Sequence, residues 1–253
     1  MYLFFDTETT GIENPRIVQI VWAVTDENGN ELRTQSFIVR PDGFEIPASA
    51  TRIHGITTEV ALRSGIEIAS ALEAFAKDVV DAAILIAHNV RFDESVVIGE
   101  FLRAGQNETP LSGKTFYCTM QSSTDFCKIK GRRGYKWPSL EELHILLFGD
   151  TFESAHSALA DVRACAKCFF ELKRRGVISG TETPRTRHIE EPSEDEQYEI
   201  EDLFDQIEGL SESIWKSERK WVDLIYVHFQ KYRTITAKQR SILEDILGKL
   251  EDR

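Results

Sequence analysis

The chain has 253 residues, 42% of them hydrophobic, which suffices for one large domain or for one domain with a small appendage. Its net charge of −12 argues against a broad phosphate-binding face, but not against a local basic patch or a site whose field divalent cations invert. No run approaches the ~18 apolar residues of a membrane span, the opening MYLFFDTETT has no basic leader pattern, and four cysteines in so long a chain make no disulfide scaffold, so a cytoplasmic, reducing setting is expected.

In chain order, YLFFD reads as a strand, followed by RIVQIVWAVTD and ELRTQSFIVRP as two more. The DENGN between them contains Asn28-Gly29, a strong hairpin signal, so the first three strands form an antiparallel meander. The period then changes. EIASALEAFAKDVVDA has helical spacing, AILIA is a short buried strand, and RFDESVVIGEFLRAG is a helix. KTFYCT is the next strand, with helices expected near 119–128, 138–148 and 157–176. A meander followed by alternating strands and helices predicts an α/β domain built on a mixed sheet, over residues 1–178.

Composition shifts sharply after that. Residues 179–205 hold 10 acids and only two bases, Arg185 and Arg187, and read as an acidic, exposed linker. Residues 206–253 read as a helical C-terminal module. SESIWKSERKWVDLIYVHFQKY is a partly amphipathic helix with Trp215, Trp221, Ile225 and Phe229. In the final segment Thr236 and Gln239 are placed for a capping box, ahead of a stripe of Ile242, Leu243, Ile246, Leu247 and Leu250. The module docks on itself, on the larger domain or on a partner protein.

The chemistry-bearing residues fall into three clusters. In DTETTG, Asp6 and Glu8 stand two apart at the end of the first strand and leave the same face if the strand persists. Charges so close raise each other's pKa unless a cation compensates, so the pair is either a solvated strand end or a ligand set. Asp93, in HNVRFD, falls in the first turn of a helix, where an acid also gains about 0.3–1 kcal/mol from the helix N-terminus. Asp161 lies in the early turns of the last helix of the domain, with His156 five residues before it. On one continuous helix five residues turn about 140°, so the two share a site only if His156 lies on the entering loop.

In that order, DTETTG (6–11), HGIT (54–57), HNVRFD (88–93) and AHSALAD (155–161) resemble the DEDDh, DnaQ-like 3'→5' exonucleases. That family includes the proofreading subunit of bacterial replicative DNA polymerase and RNase T. The resemblance covers residues 1 to about 178 and implies an RNase H-like fold with a five-stranded mixed sheet and a central first strand. It implies two divalent ions, Mg²⁺ or Mn²⁺, one held by Asp6, Glu8 and Asp161 and the second by Asp6 and Asp93. His156 becomes the general base, and all five residues become catalytic. Hydrolysis of single-stranded DNA from its 3' end, in proofreading or repair, is the expected activity. RNA 3'-end trimming and a non-catalytic nucleic-acid adaptor are the alternatives.

Thr9 and His54 match positions that contact the terminal nucleotide, although a turn threonine and a packed loop histidine account for them equally simply. Asn89 braces its loop or touches substrate, and Arg91 reaches a phosphate or forms a surface ion pair. The one basic run, KIKGRRGYKW (128–137), interleaves Arg132, Arg133 and Lys136 with Tyr135 and Trp137, a mixture suited to contacting phosphates and stacking bases of a single strand. Cys165 and Cys168 form a C-x-x-C on a helix without metal partners and read as small core residues. A polymerase-like partner bound through the C-terminal helices completes the expectation.

Overall fold

The computed structural model describes residues 1–106, 109–132, 134–152, 157–179, 194–210, 214–215, 218–219, 221–223, 225–226, 229, 235 and 237–251. It divides into two compact units, Met1–Arg185 and Thr186–Arg253.

The first unit is a five-stranded mixed sheet in the order β3-β2-β1-β4-β5. Strands β1 (Tyr2–Thr9), β2 (Ile17–Thr25) and β3 (Glu31–Ile38) are antiparallel neighbours, while β4 (Ile84–Ala87) and β5 (Thr115–Cys118) add in parallel beyond β1. The central position of β1 follows from its composition, because its side chains are buried on both faces. Leu3 and Phe5 join a core with Trp22, Phe75 and Phe101, whereas Tyr2 and Phe4 pack on the opposite face against Phe169 and Leu172. The first core is covered by α3 (Ile68–Asp81) and α4 (Val90–Arg103), the second by α8 (Ala158–Arg174) and α7 (Leu140–Phe148). Cys118, Cys127, Cys165 and Cys168 are free and buried, as small core residues.

Between β2 and β3 the hairpin expected across residues 26–30 is present, and the Asp26 carboxylate organises it by gathering the backbone N–H groups of Asn28 and Asn30, each at 2.9 Å. Two local features depart from the sequence reading. Helices α1 (Ala48–His54) and α2 (Thr58–Ser64) fill a stretch where none was expected. Each is only seven residues long, too short for a periodic signal, and the pair is held by a satellite core of Val18, Ile46, Ala50, Ile56 and Ala61. The helix expected near 119–128 is two single turns, α5 (Thr119–Ser122) and α6 (Thr124–Cys127). Beyond them a small hairpin, β6 (Lys130–Gly131) with β7 (Gly134–Tyr135), structures the basic run.

In the second unit, α9 (Glu194–Gly209) begins inside the segment expected to be linker. Its acids disguise an apolar stripe, Ile200, Leu203, Phe204 and Ile207, which packs with Val222, Ile225 and Phe229 and with Leu243, Ile246 and Leu250 of the terminal helix, Ala237–Glu251. Thr236 of the expected capping box lies outside the described residues. Among the described residues no helix is long and apolar enough to cross a membrane.

Candidate active site

Strand β1 persists past the expected stop at Asp6, pairing Asp6 with Val21 and Glu8 with Gln19 before its register shifts at Thr9. Strand alternation therefore sends Asp6 and Glu8 to the face that carries Tyr2 and Phe4, the face covered by α8. Asp161 lies in the first turn of α8, its backbone N–H donating to the Ser157 carbonyl at 2.9 Å. Strand and helix bring ligand oxygens of Asp6, Glu8 and Asp161 within 4.8 Å of one another.

Thr7 points the other way and performs a separate task. Its backbone N–H and its hydroxyl both donate to Asp93 Oδ1, at 3.0 and 2.8 Å, locking the fully buried carboxylate of α4 against the centre of β1. Burial, followed by the charges of Asp93, Glu8 and Asp161, pushes the Asp6 carboxyl well above the ordinary range. Burial and then Asp161 and Asp93 raise Glu8 to about 7, and burial raises Asp93 to about 7 despite the two Thr7 bonds. Among the described residues Asp6, Glu8 and Asp93 have no cationic side chain paired with them. An all-oxygen donor set whose members repel one another suits a hard divalent cation, the chemistry expected of Mg²⁺ or Mn²⁺.

The softer residues divide. Thr9 and His54 come together: the Thr9 hydroxyl donates to the Gly11 carbonyl at 2.9 Å, and the Thr9 backbone lies near the His54 ring. His54 Nδ1 accepts from the Ile56 N–H at 3.1 Å, and burial outweighs the Thr9 backbone in lowering its pKa. Asn89 adopts a left-handed conformation, φ 79°, and its carbonyl accepts from the Phe92 N–H, so its backbone shapes the entry to α4. Arg91 is exposed in the first turn of that helix. Arg132 is exposed in the β6–β7 hairpin, whereas Lys136 pairs with Glu142, the same carboxylate that closes the capping box of α7. His156 and Arg133 lie outside the described residues. A cavity of about 650 Å³ between the β2–β3 loop and α8 is lined by none of Asp6, Glu8, Asp93 and Asp161.

The family described as exonuclease under the name RNase T matches residues 3–169. A DNA polymerase III subunit epsilon from Treponema pallidum is 34% identical over 172 residues, covering 65% of this chain and 73% of that protein. The chain belongs to the DnaQ-like 3'→5' exonuclease family. Another relative, a DNA polymerase III subunit epsilon-like protein of Rhodobacter capsulatus, is 33% identical over 70% of this chain, which spans only 25% of that protein's length. E. coli exonuclease I, solved with a dA16 oligonucleotide, shares the fold at a TM-score of 0.59 and 23% identity, over 69% of this chain and 41% of its own.

Sequence reasoning missed several residues that build the candidate site. Thr7 carries no charge to mark it, though strand alternation alone sends it to the face opposite Asp6. Glu100, seven residues after Asp93 on α4, accepts at Oε1 from Arg16 Nε at 2.8 Å and the Ile17 N–H at 3.1 Å, and pairs with Arg103. Arg103 in turn donates to Asn14 Oδ1 at 3.0 Å. One helix thus holds both Asp93 and the loop that follows Glu8. The i, i+7 spacing of two acids on one helix face was the available signal.

Proposed function

We propose that the chain is a metal-dependent 3'→5' exonuclease that releases nucleoside 5'-monophosphates from single-stranded DNA, serving proofreading or DNA repair in the cytoplasm. The observation that carries this reading is the convergence of Asp6, Glu8 and Asp161 within 4.8 Å, with Asp93 close enough to Asp6 to raise its pKa. Asp6, Glu8 and Asp161 are assigned to one divalent ion, and Asp93, with Asp6, to a second. When bound, such a pair neutralises charge on the phosphoryl oxygens and makes water a usable nucleophile near neutral pH.

The remaining work falls to the chain. Thr7 fixes the Asp93 carboxylate by two hydrogen bonds. Thr9 and His54 receive the terminal nucleotide, and the exposed Lys130, Arg132, Tyr135 and Trp137 supply cations and rings for the strand behind it. His156 is assigned as the base that takes a proton from the attacking water on an imidazole nitrogen, a task suited to a group whose ordinary pKa is near 6.5. DNA is favoured because the relatives are polymerase subunits by name and exonuclease I was solved with a DNA oligonucleotide. A protein partner such as a polymerase is assigned to the second unit, where Tyr198, Trp215 and Tyr226 are 68%, 65% and 45% exposed.

The test is a time course with 5'-labelled single-stranded DNA and RNA, in Mg²⁺, Mn²⁺ or chelator, beside Asp6→Ala. A metal-dependent ladder shortening from the 3' end, faster on DNA and absent from the variant, is expected. Faster cleavage of RNA reassigns the substrate. Binding without cleavage in either metal overturns the enzyme reading in favour of an adaptor.

A further inference from the structure

His88 belongs to neither the metal ligands nor the nucleotide contacts assigned above, yet the topology puts it beside both. Strands β1 and β4 are parallel, with Phe4 opposite Ile86, so two residues further on His88 comes level with Asp6. Its ring is held at both nitrogens. Nε2 lies 3.0 Å from the Pro138 carbonyl and Nδ1 3.0 Å from the Thr119 hydroxyl. A carbonyl only accepts, so Nε2 carries the proton and donates to Pro138, while Nδ1 accepts from Thr119. Burial lowers the His88 pKa to about 4, which keeps this neutral tautomer, and both bonds, in place at neutral pH.

Pro138 is the buried end of an otherwise exposed segment. Residues 130–132 and 134–137 are all exposed, with Tyr135 at 50% and Trp137 at 55%, and the hairpin is closed by the Lys136 N–H donating to Ile129 at 2.9 Å. Two ladder residues per strand and no apolar face cannot hold such a hairpin in a fixed place, so its position depends on where its base is tied. The base is seated by Ile129 and Leu140 against the second core and by the Lys136–Glu142 pair, and His88 adds the tie to the carboxylate end of the sheet, oriented by Thr119, which is fully buried just past β5.

We infer that His88 is a positioning residue that sets the basic hairpin to grip nucleotides behind the terminal one, and so governs action on polymers but not the hydrolytic step. This rests on the exonuclease reading. The test compares a single-stranded DNA oligonucleotide with the p-nitrophenyl ester of thymidine 5'-monophosphate, which offers nothing to the hairpin. In His88→Ala, KM for the oligonucleotide is expected to rise about tenfold or more, the scale of one or two lost hydrogen bonds, with kcat nearly unchanged. Hydrolysis of the ester stays within about twofold of the parent. His88→Gln, whose amide can still donate to Pro138, recovers part of the oligonucleotide affinity.

Thr119→Val, close in shape, gives a weaker version of the same split and serves if His88→Ala does not fold. Lys130→Ala with Arg132→Ala also raises KM for the oligonucleotide alone, and adding His88→Ala to that pair costs little more. Equal losses on both substrates, or no loss on either, overturn the role assigned to His88. A parent protein inactive on both substrates instead removes the exonuclease reading itself.

Discussion

Two groups of buried acids lie in the same unit and are treated in opposite ways. Asp78 accepts from Trp22 Nε1 at 2.7 Å and from Arg33 Nε at 3.0 Å, and Glu100 accepts from Arg16 and the Ile17 backbone and forms an ion pair with Arg103. Asp93 is as deeply buried and Asp6 and Glu8 are half-buried, but their charged neighbours are one another and Asp161. Where an acid serves the architecture, the chain supplies its cation from a strand or a helix. Around the end of β1, none of Asp6, Glu8 and Asp93 has a paired cation among the described residues, and a cation from outside the chain suits the place. Their raised pKa values go with that arrangement, which costs fold stability.

Removing an acid from each group separates them most sharply. Asp6→Asn is expected to lower exonuclease activity at least about 10³-fold, the scale of losing one preorganised electrostatic group, while raising the metal-free melting temperature at pH 8. Glu100→Gln should do the reverse in kind. Leaving the partly exposed Arg16 and Arg103 with a neutral partner is expected to cost about 1–3 kcal/mol in urea unfolding, with residual activity in whatever fraction stays folded. A destabilising Asp6→Asn, or a silent Glu100→Gln, breaks the distinction.

The same contrast explains which parts of the molecule were legible in the sequence. The first three strands, the long flanking helices and the three carboxylate clusters could be read because each lies on a long periodic run or in a motif of fixed spacing, and the four-residue strands β4 and β5 because they are short apolar runs between helical or turn-rich segments. Helices α1 and α2 could not, since seven residues hold too little periodicity and the satellite core around Ile46 and Ile56 decides them. Helix α9 was hidden by its own charge: Glu194, Glu199, Glu201, Asp202 and Asp205 outweigh Ile200, Leu203, Phe204 and Ile207 in composition, but not in packing. Thr7 and Glu100 escaped notice because their roles are defined by partners 86 and 84 residues away, Asp93 and Arg16. The nearness of Asp161 to Asp6 was legible only through a family resemblance, since no local spacing reports which strand a helix covers.

Titration also separates the two groups of acids. Carboxyls whose folded pKa is raised cost nothing below their unfolded values near 4, and their full penalty is present once they ionise above about 7 in the fold. In chelator, therefore, stability should fall as pH rises from 5 to 8. Mg²⁺ or Mn²⁺ at pH 8 should restore at least about 3 °C of melting temperature, the shift that roughly 1 kcal/mol gives in a domain of this size. In Asp6→Asn both the pH slope and the metal response should shrink. A chelated protein whose melting temperature climbs over that range contradicts the unpaired-carboxylate account.

The smallest effect is expected where an acid is paired but exposed. Arg163, two residues past Asp161 on α8, makes a bidentate pair with Glu31 at the start of β3, Nε to Oε2 at 3.0 Å and a terminal nitrogen to Oε1 at 2.9 Å. Because both side chains lie largely in water, Arg163→Ala should cost no more than about 1 kcal/mol, and less at high salt. Activity should be unaffected, because Val162, Phe169 and Leu172 already seat α8 on the sheet through the second core. If Arg163→Ala instead lowers kcat while leaving the melting temperature alone, the position of Asp161 is set by an ion pair at the far side of its helix. Core packing then fixes the helix but not the carboxylate, and the line drawn between structural and functional acids has to include Glu31 on the functional side.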